Sequence, residues 1–462
     1  MRSVHVENST TAASLRALNY APEVDAFRRG RSRHPSALLG ELTASMGESF
    51  DNIFVRIDCD ERFGVEMLSQ ADVLAAEPRG RFIRGDALPY LDDHRIKAGQ
   101  ILVAGTGTLG ETEIYGRSIK ADARLVGRIV GPNTLSITPI DPEGDLALYV
   151  YAFLLTKAGL RLVRATSYGT KLLRLRQDLL RRLPIPLADS PTTARVAALV
   201  RKSVIGRERY VSDIGSARDL LQSLPAMKAA HEMSLVRSRQ CVAWKGGLPT
   251  LTAWTFASAG EALAHLRSEW RTRIGDIIEP KGIFRGGRYT RIKCGAAYGV
   301  DFLSQRDLFT VRQVPQHIVR PPVGDRLLYA PEHAIVAGGK GTLGEGEIFG
   351  RCVLVGPDLA PYALTEDILR IIPVERWAAV AYAFLSSQVG FRLLRSTASG
   401  TKLLTCREDL VSQLPFPEPG QELERAITLH VNSAVASRAE GLASEREAIR
   451  IIEEEVLPRW LT

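Results

Sequence analysis

Apolar residues fall on a three-to-four-residue spacing in two stretches of the chain. Ala197, Val200, Val204, Val211, Ile214 and Leu221 form one stripe; Val431, Val435, Leu442, Ile449, Ile452 and Val456 form the other. Such spacing predicts long helices with a narrow seam, as in a coiled coil; the alternative is an ordinary amphipathic helix packed on its own domain. Val200, Val204, Val211 and Ile214 are expected to bury against Leu442, Ile449, Ile452 and Val456, with the helices antiparallel. Arg207 and Arg218 interrupt the first stripe, Arg438 and Glu445 the second. An Arg opposite Glu445 would fix the register, and Arg438 is expected to reach outward, because an unpartnered buried charge is costly. Gly206 and Gly215 weaken the first helix, and Pro225 is expected to end it.

Ahead of each stripe the pattern changes. A short apolar run (Ile101–Ala104; 334–337) leads into a Gly-rich turn. The alternating residues 113–117 that follow read as strand, and one amphipathic helix is expected over 146–165 and again over 376–396. Leu-Pro-x-Pro then closes each tract (Leu183, Pro184, Pro186; Leu414, Pro415, Pro417), since those prolines bar continuation of a regular element.

The similarity of the two tracts is a duplication. Residues 151–186 and 382–417 share 20 of 36 positions without a gap. FGVEMLSQADV at 63–73 matches YGVDFLSQRDL at 298–308, and GTGTLGETEIYGR at 105–117 matches GKGTLGEGEIFGR at 339–351. The order is the same in both copies and the offset stays between 231 and 235 residues, about half the chain.

Composition narrows the class. A length of 462 residues suits two to four domains, and 45% apolar with 24% charged residues excludes a disordered or collagen-like chain. Lys and Arg number 60 against 52 acids, giving +8, an excess that points to a polyanion such as nucleic acid. No apolar run reaches the ~18 residues of a membrane span, and MRSVHVENST lacks the apolar stretch of a signal peptide. Cys59, Cys241, Cys294, Cys352 and Cys406 lie far apart without a CxxC, so neither a zinc ribbon nor a disulfide framework is expected. These features lead us to expect a soluble, cytoplasmic protein.

Domain, long helix, second domain, second long helix: this layout resembles the DNA-specificity subunit of type I restriction-modification enzymes. The local motifs agree. A leucine-glycine-acid element opens each copy (Leu38-Leu39-Gly40-Glu41; Arg273-Ile274-Gly275-Asp276). A Gly-Thr-x-Gly turn follows a short strand (Gly107–Gly110; Gly341–Gly344), and a Gly-Thr turn precedes the Pro-rich exit (Gly169-Thr170; Gly400-Thr401). The similarity covers most of residues 35–460; the glycines of the first helix and some 30 extra connecting residues depart from it. The resemblance implies an α+β fold: two tandem-repeat α/β target-recognition domains separated by long helices that pair as an antiparallel coiled coil. The expected divisions are a basic arm (1–34), the first domain (35–187), a central helix (188–235), a connection (236–269), the second domain (270–417) and a C-terminal helix (418–462). It further implies a phage-defence protein without catalysis or cofactor of its own. Its partners would be double-stranded DNA, methyltransferase subunits using S-adenosylmethionine, and a restriction or translocase subunit using ATP.

Enzyme motifs have weaker support. Gly105–Gly110 and Gly339–Gly344 satisfy G-x-G-x-x-G, but a dinucleotide site needs a helix to follow, and Gly341 stands where a P-loop requires Ser or Thr after Lys340. A nucleotide-binding enzyme is therefore the alternative, as is a DNA-targeting subunit of another defence system. No Gly-x-Ser-x-Gly, His-Glu-x-x-His or metal-ligand spacing occurs, and the histidines are scattered singly.

Candidate DNA contacts are cations in Gly- and aromatic-containing loops, which supply charge and close approach. They are Arg79, Arg81 and Arg84 in the first copy, and Lys281, Arg285, Arg288, Arg291, Arg312, Arg320 and Lys340 in the second. Lys171 and Lys402, in turns alike in both copies, are expected to hold phosphates or partner. Base readout belongs in the unlike segments, 47–62 against 282–297, 74–97 against 309–331 and 117–147 against 351–378, because two readers of different half-sites differ where they read.

Overall fold

The computed structural model describes residues 21–31, 33–48, 56–88, 90–110, 112–235, 260–344 and 346–461. It divides into two units: residues up to Glu208 with those from Glu440 onward, and Arg209 to Ala439.

In the first unit a four-stranded antiparallel sheet runs in the order Thr43–Glu48, Thr134–Pro139, Ile101–Ala104, Ser118–Lys120. Ile101–Ala104 is buried along its whole length, which explains why its sequence is a continuous apolar run rather than an alternation. A second sheet orders Arg81–Arg84, Gly64–Leu68 and Ile129–Val130, the last pair parallel. A third joins Ser167–Tyr168, Leu173–Leu175 and Thr106–Gly107. The second unit repeats all three. Ile278–Arg285, Ile368–Pro373, Ile335–Gly338 and Cys352–Leu354 form the large sheet; Gln316–Ile318, Val300–Leu303 and Ala363–Leu364 the second; Ala398–Ser399, Leu404–Cys406 and Lys340–Gly341 the third. Even the bulge in the first strand recurs, between Thr43 and Ser45 and between Ile278 and Ile283.

Two local expectations change. The single helix expected in each copy is two: Asp145–Leu155 and Lys157–Ala165, bent by 82°, and Glu375–Ser386 followed by Gln388–Ser396. At the break the Thr156 hydroxyl accepts from the Gly159 amide at 2.9 Å, as Ser387 does from Gly390 at 3.1 Å, a side-chain cap that starts a new helix. A Cβ on Gly159 would lie 2.1 Å from the Phe153 carbonyl oxygen, and one on Gly390 2.0 Å from that of Phe384, so only glycine fits this corner. The alternating residues 113–117 are turn, not strand, because Gly116 and its counterpart Gly350 take φ of +79° and +80°.

The leucine-glycine-acid elements are short 3-10 turns. Glu41 accepts from the Leu38 amide and Asp276 from that of Arg273, both at 2.8 Å. Gly40 and Gly275 are tight for the same reason: an added Cβ would meet the carbonyls of Arg181 and Ser412 at 3.0 Å.

The long helices are real and run through both glycines: Ser190–Gln222 and Gln421–Ile451, the latter continuing through a π turn at Ile452–Val456 into Leu457–Leu461. Pro225 begins a further helix, Pro225–Leu235. The pairing is antiparallel within each unit. In the first, Arg195 meets Glu455 at 2.5 Å and Arg207 meets Glu445 at 3.3 Å; in the second, Asp213 accepts from Ser433 at 2.7 Å. This register corrects the expected partners. Val200 buries in the first unit with Ala448, Ile451 and Ile452, whereas Ile214 belongs to the half that pairs with residues near 430. Gly206 does not weaken the helix but admits its neighbour: a Cβ on Gly441 would stand 3.2 Å from the Gly206 Cα. The helices also pack on their own domain, Val196 and Val200 sharing a core with Tyr149, Phe153 and Ile185, so the seam and the domain-packed reading both hold in part.

Residues 28–31 of the basic stretch form the last turn of a helix, Pro22–Arg31, whose Phe27 is buried 5.0 Å from the Trp460 ring. Burial of such a ring contributes about 2–3 kcal/mol. Among the described residues no single helix is long and apolar enough to cross a membrane.

Candidate nucleic-acid interface

The motifs that the copies share assemble into one scaffold. The Gln70 amide donates to the Thr106 carbonyl at 2.7 Å and accepts from its amide; Gln305 repeats both bonds on Lys340, donating at 2.8 Å. Thr106–Gly107 pairs with Leu173–Arg174, and Lys340–Gly341 with Leu404–Thr405, so the Gly-Thr-x-Gly and Gly-Thr-Lys turns lie in one small sheet. Arg164 clamps the loop that follows, donating to the carbonyls of Tyr115 at 2.8 Å and Glu113 at 2.9 Å. Arg395 does the same to Phe349 at 2.9 Å and Gly344 at 2.6 Å. The described residues after each Gly-rich turn, 112–117 and 346–351, hold no helix and lead into strands, so no helix N-terminus faces the turn as a dinucleotide site requires.

A second shared device joins helix to domain. Arg207 and Arg438 lie 231 residues apart. Arg207 is buried between Glu445 at 3.3 Å and Asp122 at 3.5 Å, with Tyr151 beside it. Arg438, expected to reach solvent, is instead buried on Asp358 at 2.8 and 2.9 Å and over the Tyr210 ring at 5.3 Å. Its neutralising acid sits in a domain loop rather than on a helix. Burial opposes both charges, but the surrounding acids and tyrosines outweigh it and hold both guanidinium pKa values above the usual range.

The candidate cations divide by what they hold. Arg79 meets Glu77 at 3.2 Å, Arg81 meets Asp58 at 3.9 Å, and Arg84 grips Asp86 with one bond of 3.0 Å. Arg285 reaches Glu408 at 3.4 Å, Arg291 reaches Glu366 at 2.6 Å, Lys340 reaches Asp367 at 3.4 Å, and Arg320 pairs with Asp325. Arg312 is half-buried, its carbonyl accepting from the Thr310 hydroxyl at 2.9 Å. Lys171, Lys281, Arg288 and Lys402 are exposed and, among the described residues, hold no acid. Lys281 stands in the strand bulge at a φ of +59°, its carbonyl held by Arg326 at 2.6 Å. Arg288 follows Gly286 and Gly287, and beneath them lies a cation that the sequence did not betray. Arg370 is fully buried and donates to the carbonyls of Leu327 and Leu328 at 3.1 Å, with no ion pair among the described residues; burial lowers its pKa to about 10. An added Cβ on Gly286 would lie 3.0 Å from an Arg370 nitrogen. The loop thus carries an exposed charge on Arg288 over a second, buried charge on Arg370 of the strand Ile368–Pro373, an arrangement that suits a polyanion.

No group of three or more His, Cys, Asp or Glu that could hold a metal stands among the described residues. No protein-family model matches the chain, and no curated protein does. Among solved structures, the type I restriction-modification S subunit of M. genitalium aligns at 13% identity over 92% of this chain and 95% of that one, with a TM-score of 0.32. The HsdS subunit of Thermoanaerobacter tengcongensis aligns at 14% identity over 92% and 96%, with a TM-score of 0.26. A structure described by complex assembly and conformational transition of the type I R-M system aligns at 13% over 92% and 97%, with a TM-score of 0.27.

Proposed function

We propose that the chain is a sequence-specific DNA-recognition subunit, each copy reading one half of a bipartite site, in the manner of type I specificity subunits. One observation carries this reading: the two copies keep the same sheets, bent helix pair and buried-arginine joint, yet differ in the exposed loops. A scaffold kept twice with two different surfaces suits a target with two different halves. The paired helices would set the spacer between half-sites. The turns shared by both copies would hold phosphates or dock methyltransferase subunits that bring S-adenosylmethionine, with a restriction or translocase subunit using ATP as a further partner. The chain itself would perform no chemistry, and its place would be the cytoplasm.

Phosphate contact predicts a steep loss of duplex affinity as salt rises from about 50 to 200 mM, since each neutralised phosphate releases counterions. Arg288→Ala should lower the slope of log affinity against log salt by about one, because that side chain is exposed without an acid. Arg84→Ala should lower it less, Asp86 already holding that charge. A slope near zero for the unaltered chain would refute DNA contact. Co-purification with the products of neighbouring genes, followed by methylome sequencing of the host, tests the partners.

A further inference from the structure

The second sheet of each copy carries an exposed aromatic ring at one end. Phe63 is 72% exposed and Tyr298, its counterpart 235 residues on, is 82% exposed. Each closes a 3-10 turn (Glu61–Phe63; Ala296–Tyr298); a strand of the second sheet follows at once in the first copy and after Gly299 in the second. A second apolar pair recurs beside them, Ile57 at 42% and Ile292 at 58% exposed. The backbone ties these positions to the neighbouring basic strand: the Ile57 carbonyl accepts from the Arg84 amide and the Ile292 carbonyl from Val319, both at 2.9 Å. An aromatic ring left in water once is ordinary. The same ring position left in water twice, in a segment that the two copies keep alike, calls for a ligand common to both.

The pedestal under each ring is built alike. Gly64 and Gly299 follow the rings; a Cβ on Gly64 would stand 2.4 Å from the Cys59 sulfur and 2.8 Å from the Ile83 carbonyl oxygen. On Gly299 it would stand 2.3 Å from both the Cys294 sulfur and the Ile318 carbonyl oxygen. The turns are thus closed down on their sheets and hold the rings at fixed height. Charge accompanies them. The Arg62 guanidinium, paired with Asp60 at 2.8 Å, lies 5.5 Å from the Phe63 ring centre, and Arg81, 3.9 Å from Asp58, is exposed on the strand beside it. Near Tyr298, Lys293 bridges to Ile318 and is exposed, with Arg320 two residues past the end of that strand.

A rigid exposed ring flanked by cations fits a nucleobase better than an apolar protein surface, for which the flanking charges would have to be desolvated. We propose that Phe63 and Tyr298 are paired wedges that stack on or between bases of double-stranded DNA, one in each half-site, while the neighbouring cations hold the adjoining phosphates. The proposal rests on the DNA-recognition reading above.

The test uses the full chain and a duplex selected by it from a random pool, resynthesised as a set with one 2-aminopurine at each purine position in turn. Binding should raise the fluorescence of one position in each half-site, since unstacking a base relieves its quenching. Phe63→Ala should abolish the rise in one half-site only and Tyr298→Ala in the other, each weakening affinity about tenfold. Phe63→Trp and Tyr298→Phe should retain both, and unchanged melting curves show that the alanine variants are folded. A rise unaffected by the alanine variants, or none at any position, overturns the wedges while leaving DNA recognition intact. The same holds if the variants lose a co-purifying protein but bind DNA normally. Failure of the unaltered chain to select any duplex overturns the wedges together with the reading on which they rest.

Discussion

At the scale of residues, two buried arginines do similar work with unequal support. Among the described residues Arg438 faces one acid, Asp358, whereas Arg207 faces Glu445 and an Asp122 that also holds the buried Arg124 at 2.9 Å. Removing the acid from a buried pair leaves an uncompensated charge and costs about 3–5 kcal/mol. Asp358→Ala and Glu445→Ala should therefore both lower the midpoint of urea unfolding sharply, because Asp122 is already committed to the buried Arg124. A midpoint that neither variant moves would mean that the ion pairs do not govern these joints. The sequence showed that charges break the apolar seam, and it showed Glu445 meeting an Arg. It could not show Asp358, because the acid lies 80 residues upstream of Arg438 and helical periodicity carries no information about such a partner. Arg370 was hidden for a related reason: one arginine inside an apolar strand reads as an outward-facing position until the strand is seen to be buried on both sides. Phe63 and Tyr298 were in plain view within a repeated segment, but an aromatic beside apolar residues reads as core.

At the scale of elements, the duplication and its motif order made the paired architecture legible, and the structure repeats each sheet. What the pattern missed were breaks. At the corner only two or three polar residues (Thr156-Lys157; Ser386-Ser387-Gln388) separate apolar runs whose spacing continues, so hydrophobic periodicity alone runs two helices into one; the signal was local, a Thr or Ser three residues before an obligatory glycine. The glycines of the long helices had the opposite fate. Propensity marks Gly206 as a weak point, costing about 1 kcal/mol, but in the structure its bare Cα lets Gly441 approach. Gly441→Val should therefore destabilise the first unit by spreading its two helices, whereas Gly215→Ala, with nothing within 4 Å of the added carbon, should stabilise slightly. Thermal melting of the two variants checks both signs; a harmless Gly441→Val would show that the helices can separate freely at that point.

At the scale of the whole molecule, the account makes the two long helices a ruler and the two copies its ends. Inserting one heptad into each helix adds about 10 Å of helix and should lengthen the spacer of the bound DNA by roughly three base pairs, leaving the half-sites unchanged. An unchanged spacer with binding intact would remove the ruler from the account. The central claim, that one chain reads two separate half-sites, is tested most directly by letting the full-length protein select duplexes from a random pool and sequencing those retained. The account predicts two short, different blocks of fixed sequence separated by a gap of constant length and arbitrary sequence. A single contiguous block, or retention without any sequence preference, would contradict it.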